Sequence, residues 1–216
     1  MAKTILIVGA SRGIGLGLAK EFADRGWDVI GTERDRSDDL HGLDGVRIET
    51  MDVTEPGTYE SFDTEVDAVI VNAGITGAKH QDACQATSEE VAHVMMTNAF
   101  GPIRAGRTLL PKIREGGTLA FMSSLMGSID DSSGGYDLYR TSKAAQNMLA
   151  KGIAETDAKE RGVTVLSLHP GWVQTDMGGS NAKLTVEESV KGLADVIEGA
   201  SGGYRYVDYS GKDLPF

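Results

Sequence analysis

A chain of 216 residues has room for one domain with a full hydrophobic core and is short for two. Its 40% apolar and 25% charged content is that of a globular protein, and a net charge of −11 argues against nucleic acid or an anionic membrane as main partner. No apolar run approaches the ~18 residues of a membrane helix, and the single cysteine, Cys84, fits a reducing, cytoplasmic compartment.

Residues 4–8 are a short β-branched run ending in glycine, which reads as a strand buried on both faces rather than as a signal peptide. Gly9-Ala10-Ser11-Arg12-Gly13-Ile14-Gly15 follows, then a helical apolar pattern through Leu18, Ala19 and Phe22 to Gly26. Strand, glycine turn and helix together suit a pyrophosphate. The glycines let the backbone approach closely, and the helix N-terminus offers unpaired N–H groups and a positive dipole end. Residues 27–32 are the expected second strand, closing a βαβ unit at Glu33-Arg34, where a dinucleotide-binding fold contacts the adenosine ribose. Residues 46–51 form a third, ending at Asp52-Val53. A weak helical pattern covers 58–62, and 67–71 is a fourth strand that stops at Asn72-Ala73-Gly74.

Residues 88–113 carry a long helical pattern with Ser88 as N-cap, and Pro102 predicts a kink or break just after Asn98. Residues 118–122 are a fifth strand ending at Ser123-Ser124. A polar, glycine-rich loop over 127–135 leads into a helix that runs to about Arg161. Tyr139 and Lys143 stand four apart on that helix, on one face and one turn apart. A phenol beside an ammonium is an acid–base pair, and the positive charge is expected to lower the Tyr139 pKa toward the range useful for proton transfer. Residues 163–168 are a sixth strand, ending at His169-Pro170-Gly171; 186–197 are a last helix and 204–207 a last strand. The alternation predicts a single-domain, doubly wound parallel α/β sheet over residues 1–216, with ligands bound outside the strand ends. His41, His80, His93 and His169 show no metal-ligand spacing, so no metal is expected.

Gly9-x-x-x-Gly13-x-Gly15, Asn72-Ala73-Gly74, Asn98, Ser123-Ser124, Tyr139-x-x-x-Lys143 and Pro170-Gly171 occur in an order and spacing that resembles the short-chain dehydrogenase/reductase family over nearly the whole chain. The stretch from Gly203-Tyr204-Arg205-Tyr206 to Gly211-Lys212-Asp213-Leu214-Pro215 resembles, more narrowly, the Sniffer/C-factor-like carbonyl reductase branch. The resemblance implies a Rossmann fold and a catalytic set of Asn98, Ser124, Tyr139 and Lys143. In that set Ser124 bonds the substrate carbonyl and Tyr139 transfers the proton. Lys143 holds the nicotinamide ribose and lowers the Tyr139 pKa, and Asn98 completes a proton relay through water. Ser124 is preferred to Ser123 because relatives with a paired serine use the second, and strand alternation lets only one of the two face the site.

The resemblance also implies cofactor contacts from Gly9, Ser11, Arg12, Gly13, Ile14, Gly15, Glu33, Arg34, Asp52, Val53, Asn72, Ala73, Gly74, Tyr139, Lys143, Pro170, Gly171, Val173 and Thr175, the last two toward the nicotinamide carboxamide. Met126, Trp172 and Met177 are candidates for a substrate pocket. Two residues depart from the family pattern: Val8 replaces a turn-bracing Thr, and Val71 replaces an Asn that can bond the neighbouring strand.

The activity so implied is hydride transfer between NADP(H) and a small-molecule carbonyl or alcohol. The competing reading, a cofactor-binding signalling protein with little turnover, would carry a broken catalytic set, and all four members are present. Cofactor choice turns on a conflict. Glu33 stands where NAD-preferring relatives accept a hydrogen bond from the ribose 2′-OH, whereas Arg34 and Arg12 stand where NADP-preferring relatives bind the 2′-phosphate. Two arginines outweigh one carboxylate, especially if Glu33 turns aside to a basic neighbour such as Arg36. A modest preference for NADP(H) over NAD(H) is expected. The helices at 90–112 and 138–161 carry apolar residues on more than one face, and relatives pair through them, which implies a homodimer or homotetramer.

Overall fold

In the computed structural model, which describes residues 2–216, the apolar run Thr4–Val8 forms β1 inside a seven-stranded sheet. The other strands are β2 (Asp28–Glu33), β3 (Val46–Thr50), β4 (Val66–Val71), β5 (Ile113–Met122), β6 (Thr164–His169) and β7 (Tyr204–Asp208). Every pairing is parallel, in the order β3-β2-β1-β4-β5-β6-β7. The chain winds outward from β1 to β3, then crosses back to lay β4 on the other side of β1. A crevice therefore opens at the C-terminal ends of β1 and β4.

The helices are α1 (Gly13–Asp24), α2 (Asp38–His41), α3 (Ser88–Met95), α4 (Gly101–Leu109), α5 (Asp137–Glu155) and α6 (Val186–Glu198). Alternation along β1 sends Ile5 and Ile7 to one face and Leu6 and Val8 to the other. The first face packs on Leu18 and Phe22 of α1 and Val190 and Leu193 of α6. The second packs on Leu109 of α4 and Ile153 of α5. No helix among the described residues is long and apolar enough to cross a membrane.

The structure differs from the sequence reading at several elements. The long helix expected over 88–113 is divided: α3 ends at Met95, a π-turn covers Met96–Phe100, and α4 begins at Gly101. Its N-cap is Thr87 rather than Ser88. The Thr87 hydroxyl accepts from the Glu90 N–H (3.2 Å), and the Glu90 carboxylate accepts from the Thr87 N–H (2.9 Å), a capping box. No helix forms over 58–62; a single 3₁₀ turn, Pro56–Thr58, leaves Tyr59 and Phe62 as buried plugs of the second face. α5 stops at Glu155, and Lys159–Arg161 is a separate 3₁₀ turn. β2 extends through Glu33, and β5 starts already at Ile113.

Candidate active site

At the crevice lies a cleft of about 740 Å³. One wall is the turn after β1. Gly9 and Gly13 adopt φ of 88° and 55°, a left-handed backbone that favours glycine. Gly15 has no room for a side chain, because a Cβ there would stand 2.0 Å from the Gly9 carbonyl oxygen. The brace that Val8 cannot supply comes from β2, where Thr32 Oγ1 accepts from the Gly9 N–H (3.1 Å). The tie that Val71 cannot make to β1 is made by Asn72, whose Nδ2 donates to Gly9 O (2.8 Å). Arg12, the N-cap of α1, forms no side-chain cap, and Gly13 and Ile14 line the cleft. The first-turn N–H groups and positive end of α1 are thus available to an anion.

Arg34, Asp52 and Val53 line the far end of this wall, and Glu33 does not. Glu33 is 8% exposed. Its carboxylate turns behind the wall, accepts from the Ser37 N–H (2.6 Å) and meets His41 Nε2 (2.9 Å). Burial pushes the Glu33 carboxyl up, but the His41 and Ser37 contacts outweigh it and hold the group below its ordinary value. Arg36, the expected partner, instead donates to Asp38 (3.2 Å) and to His41 Nδ1 (3.2 Å). Arg34 Nε pairs with Asp35 (2.9 Å), and Arg12 reaches across to Asp176 (3.0 Å).

The opposite wall is built by β5 and α5. The two serines after Met122 point to different sides, as strand alternation requires. Ser123 Oγ donates to the buried Asn147 Oδ1 (2.6 Å), whereas Ser124 Oγ accepts from the Met126 N–H (3.2 Å) and interacts with the Tyr139 hydroxyl. Lys143 is 4% exposed. Its Nζ donates to Met122 O (2.7 Å) and Gln146 Oε1 (3.4 Å) and stands 5.9 Å from the Tyr139 ring centroid. Burial pulls the Lys143 amine down to about 7. It also pushes the Tyr139 phenol up, with the Ser124 hydrogen bond opposing. The lowered Tyr139 pKa expected from an ammonium next door is not what the fold produces here. Desolvation favours the neutral form of both groups.

Asn98 sits in the π-turn and is fully buried. The Gly101 N–H reaches back to Met96 O, and Pro102 has no N–H to donate, so the helical ladder is interrupted around Asn98. Its amide grips the loop after β4 from both sides: Oδ1 accepts from the Ile75 N–H and Nδ2 donates to Ile75 O, both at 2.8 Å. The second Nδ2 proton goes to Ser142 Oγ (3.1 Å), which in turn donates to Tyr139 O (2.7 Å). Gly74 lies between these groups; a methyl there would be 3.4 Å from Asn98 Oδ1 and 3.6 Å from Lys143 Nζ.

The cleft therefore brings together Gly9, Ser11, Arg12, Gly13, Ile14, Arg34, Asp52, Val53, Asn72, Ala73, Gly74, Tyr139, Lys143, Pro170 and Thr175. Gly15, Gly171 and Val173 stand behind its surface: Gly171 turns with φ 84°, and Val173 is buried and bridged to Leu184. Of the substrate-pocket candidates, Met177 lines the cleft, and Trp172 is half exposed with its Nε1 on Gly178 O (2.8 Å). Ser123 lines the cleft, whereas the preferred Ser124 and the buried Asn98 do not, and sequence reasoning missed Met51, Ile75, Thr97 and Met122, which also line it. Each is adjacent to a recognised motif residue, and that adjacency was the available signal. It also missed Asp35, Asp39 and Asp176, for which no motif existed.

Residues 3–184 match the short chain dehydrogenase family. The chain is 39% identical over 159 residues to the C-signal protein of Myxococcus xanthus, an alignment covering 70% of this chain and 93% of that one. A carbonyl reductase from Pseudomonas aeruginosa PAO1 in complex with NADP superposes over 100% of both chains with a TM-score of 0.91 at 39% identity. The carbonyl reductase Sniffer of D. melanogaster does so, also over 100% of both chains, with a TM-score of 0.89 at 28% identity.

Proposed function

The chain belongs to the short chain dehydrogenase family, and on that premise we propose that it is an NADP(H)-dependent oxidoreductase acting on a small carbonyl or alcohol. The observation that carries this reading is the pairing of Tyr139 and Lys143 on one face of α5, across a cleft from the glycine turn and the N-terminus of α1. The residues present fit the cofactor. Gly9 and Gly13 bring left-handed backbone to the cleft surface, α1 presents an uncapped N-terminus to a pyrophosphate, and Arg34 stands at the ribose end. The NADP complex of the Pseudomonas carbonyl reductase supports the same assignment.

When bound, NADPH supplies the hydride. This chain's residues orient and protonate. The hydroxyls of Ser124 and Tyr139 both donate to the substrate carbonyl oxygen and draw electron density from its carbon. As the carbon–oxygen double bond becomes a single bond, Tyr139 gives its proton to the forming alkoxide and is left as phenolate, to be reprotonated from solvent. Burial keeps the phenol protonated and ready to donate in this direction. Lys143, drawn close to neutrality by burial, takes up charge readily when a negative group forms beside it. Asn98 holds the loop after β4 against α5.

The test is NADPH oxidation with a panel of aldehydes, ketones and quinones, run on the wild type and on Tyr139→Phe. At least one carbonyl should turn over, and the variant should lose roughly 10²–10⁴ in kcat with cofactor affinity unchanged. Near-normal kcat in Tyr139→Phe would rule out Tyr139 as the acid. NADPH binding without turnover across the panel would overturn the enzymatic reading in favour of a cofactor-binding regulator.

A further inference from the structure

We propose that His41 is a specificity-determining residue: it holds the Glu33 carboxylate behind the cleft wall, so that a chain with an acid at the end of β2 accepts a cofactor phosphorylated on its adenosine ribose. The inference rests on the NADP(H) reading above. In parallel sheets of this topology the end of the second strand meets the ribose, and a free carboxylate there accepts from a ribose hydroxyl and repels a phosphate. Glu33 occupies that position as the last residue of β2. Both of its oxygens are already used. Oε1 lies 2.9 Å from His41 Nε2, and Oε2 accepts from the Ser37 N–H at 2.6 Å.

The hold does not depend on a charged imidazole. The Glu33 carboxylate can only accept, so its 2.9 Å contact with His41 Nε2 needs the ring proton on Nε2, which a neutral imidazole can carry. In that tautomer Nδ1 is the acceptor, and Arg36 Nη1, always a donor, lies 3.2 Å from it and 3.5 Å from Nε2. The arrangement is tied to the glycine turn as well. Ser37 caps α2 by accepting from the Leu40 N–H (3.3 Å) and donates to Ser11 O (2.6 Å), and Ser11 lines the cleft. With Glu33 withdrawn, Arg34 is the cation at the ribose end of the cleft. It hydrogen-bonds Asp35 through Nε alone, so its two terminal nitrogens make no hydrogen bond among the described residues. A phosphate can take both.

Titration calorimetry with NADP⁺ and NAD⁺ on the wild type, His41→Ala, His41→Gln and the double variant His41→Ala/Glu33→Gln tests this. His41→Ala frees the carboxylate to turn into the cleft, and the NADP⁺/NAD⁺ affinity ratio should fall by about tenfold, the scale of one screened charge beside a phosphate. Glu33→Gln in that background should restore the ratio, because the repelling charge is gone. His41→Gln keeps an N–H donor for Glu33 and should retain most of the preference, which also covers the case of a poorly folded alanine variant. A merely structural role for His41 would weaken both cofactors equally and give no rescue by Glu33→Gln; that result overturns the inference. A wild type that binds NAD⁺ better overturns the cofactor reading and this inference together. A wild-type preference for NADP⁺ that survives in His41→Ala overturns the inference alone.

Discussion

Lys143→Met removes one amine from the cleft while keeping an unbranched apolar stem, and it separates what the lysine does from what it costs. Lys143 is 4% exposed. No carboxylate pairs with it among the described residues, and its Nζ bonds only Met122 O (2.7 Å) and Gln146 Oε1 (3.4 Å). Burial therefore lowers its pKa from 10.5 to about 7. For a base whose folded pKa is depressed, the charged form is the one that folding penalises. The cost is full below the folded value of about 7, shrinks as pH rises from there toward 10.5, and is absent above it. At ~1.4 kcal/mol for each tenfold change in proton affinity, the cost near neutral pH is on the order of 4 kcal/mol. Met122 O loses its donor in the variant, which returns about 1–3 kcal/mol. The net gain of about 1–3 kcal/mol corresponds to roughly 2–4 °C in Tm per kcal/mol for a chain of this size. Calorimetric melting of both cofactor-free proteins between about pH 6 and pH 10, with NADPH oxidation measured alongside, checks the reasoning. Lys143→Met should melt higher at neutral pH, the gap should close as pH rises, and activity should be lost. A variant that melts below the wild type at neutral pH, or a gap that does not change with pH, refutes it.

The two serines after β5 should separate by assay. Ser124→Ala is expected to lower kcat with little change in Tm, whereas Ser123→Ala, which orphans the buried Asn147 amide, is expected to lower Tm by the larger amount; the reverse pattern would exchange their roles. The exposed apolar side chains Val91 on α3, Phe100 in the π-turn and Met148 on α5 mark the expected pairing surface of a homodimer or homotetramer. Light scattering at micromolar concentration should give a mass above that of the 22.9 kDa monomer, and a monomer mass would refute the assembly.

The glycine turn and the Tyr139–Lys143 pair were legible because they follow from local geometry: left-handed backbone at Gly9 and Gly13, and a one-turn step on a helix. Asn98 was half legible. Pro102 announced an interruption, but its form, a π-turn, also depends on Gly101 passing so close that a Cβ would stand 2.7 Å from Val53 O. That is a tertiary contact with no local signature. The direction of the Tyr139 pKa was misjudged for the same reason, since spacing shows which charges are near but not how much water the fold removes. Glu33 shows the limit most clearly. Its position at the strand end was readable, yet where its carboxylate points is set by His41, eight residues on, in a helix of one turn that is too short to show a period. Tyr59 and Phe62 imitate a helical spacing, and only their burial as loop plugs explains why no helix is needed there.

Hydrogen-bonding capacity separates the residues that can touch a substrate from those that hold them. Asn98 spends both amide protons and its carbonyl on Ile75 and Ser142, and Ser142 passes the contact to Tyr139 O. Ser123 is committed to Asn147, and Tyr206 donates its hydroxyl to Ser124 O (2.5 Å), which fixes the main chain beside the site. These contacts hold the frame from behind and leave the ends free. No backbone group binds the Tyr139 hydroxyl among the described residues, and Ser124 Oγ keeps its proton uncommitted beyond its neighbour Tyr139. A donor pair held rigidly from behind, bonded to no group beyond the pair and the Met126 N–H, loses little reorganisation free energy when charge develops in front of it. In the proposed reaction that charge is the alkoxide, so Asn98 and Ser142 act by positioning, and Tyr139 and Ser124 act by contact.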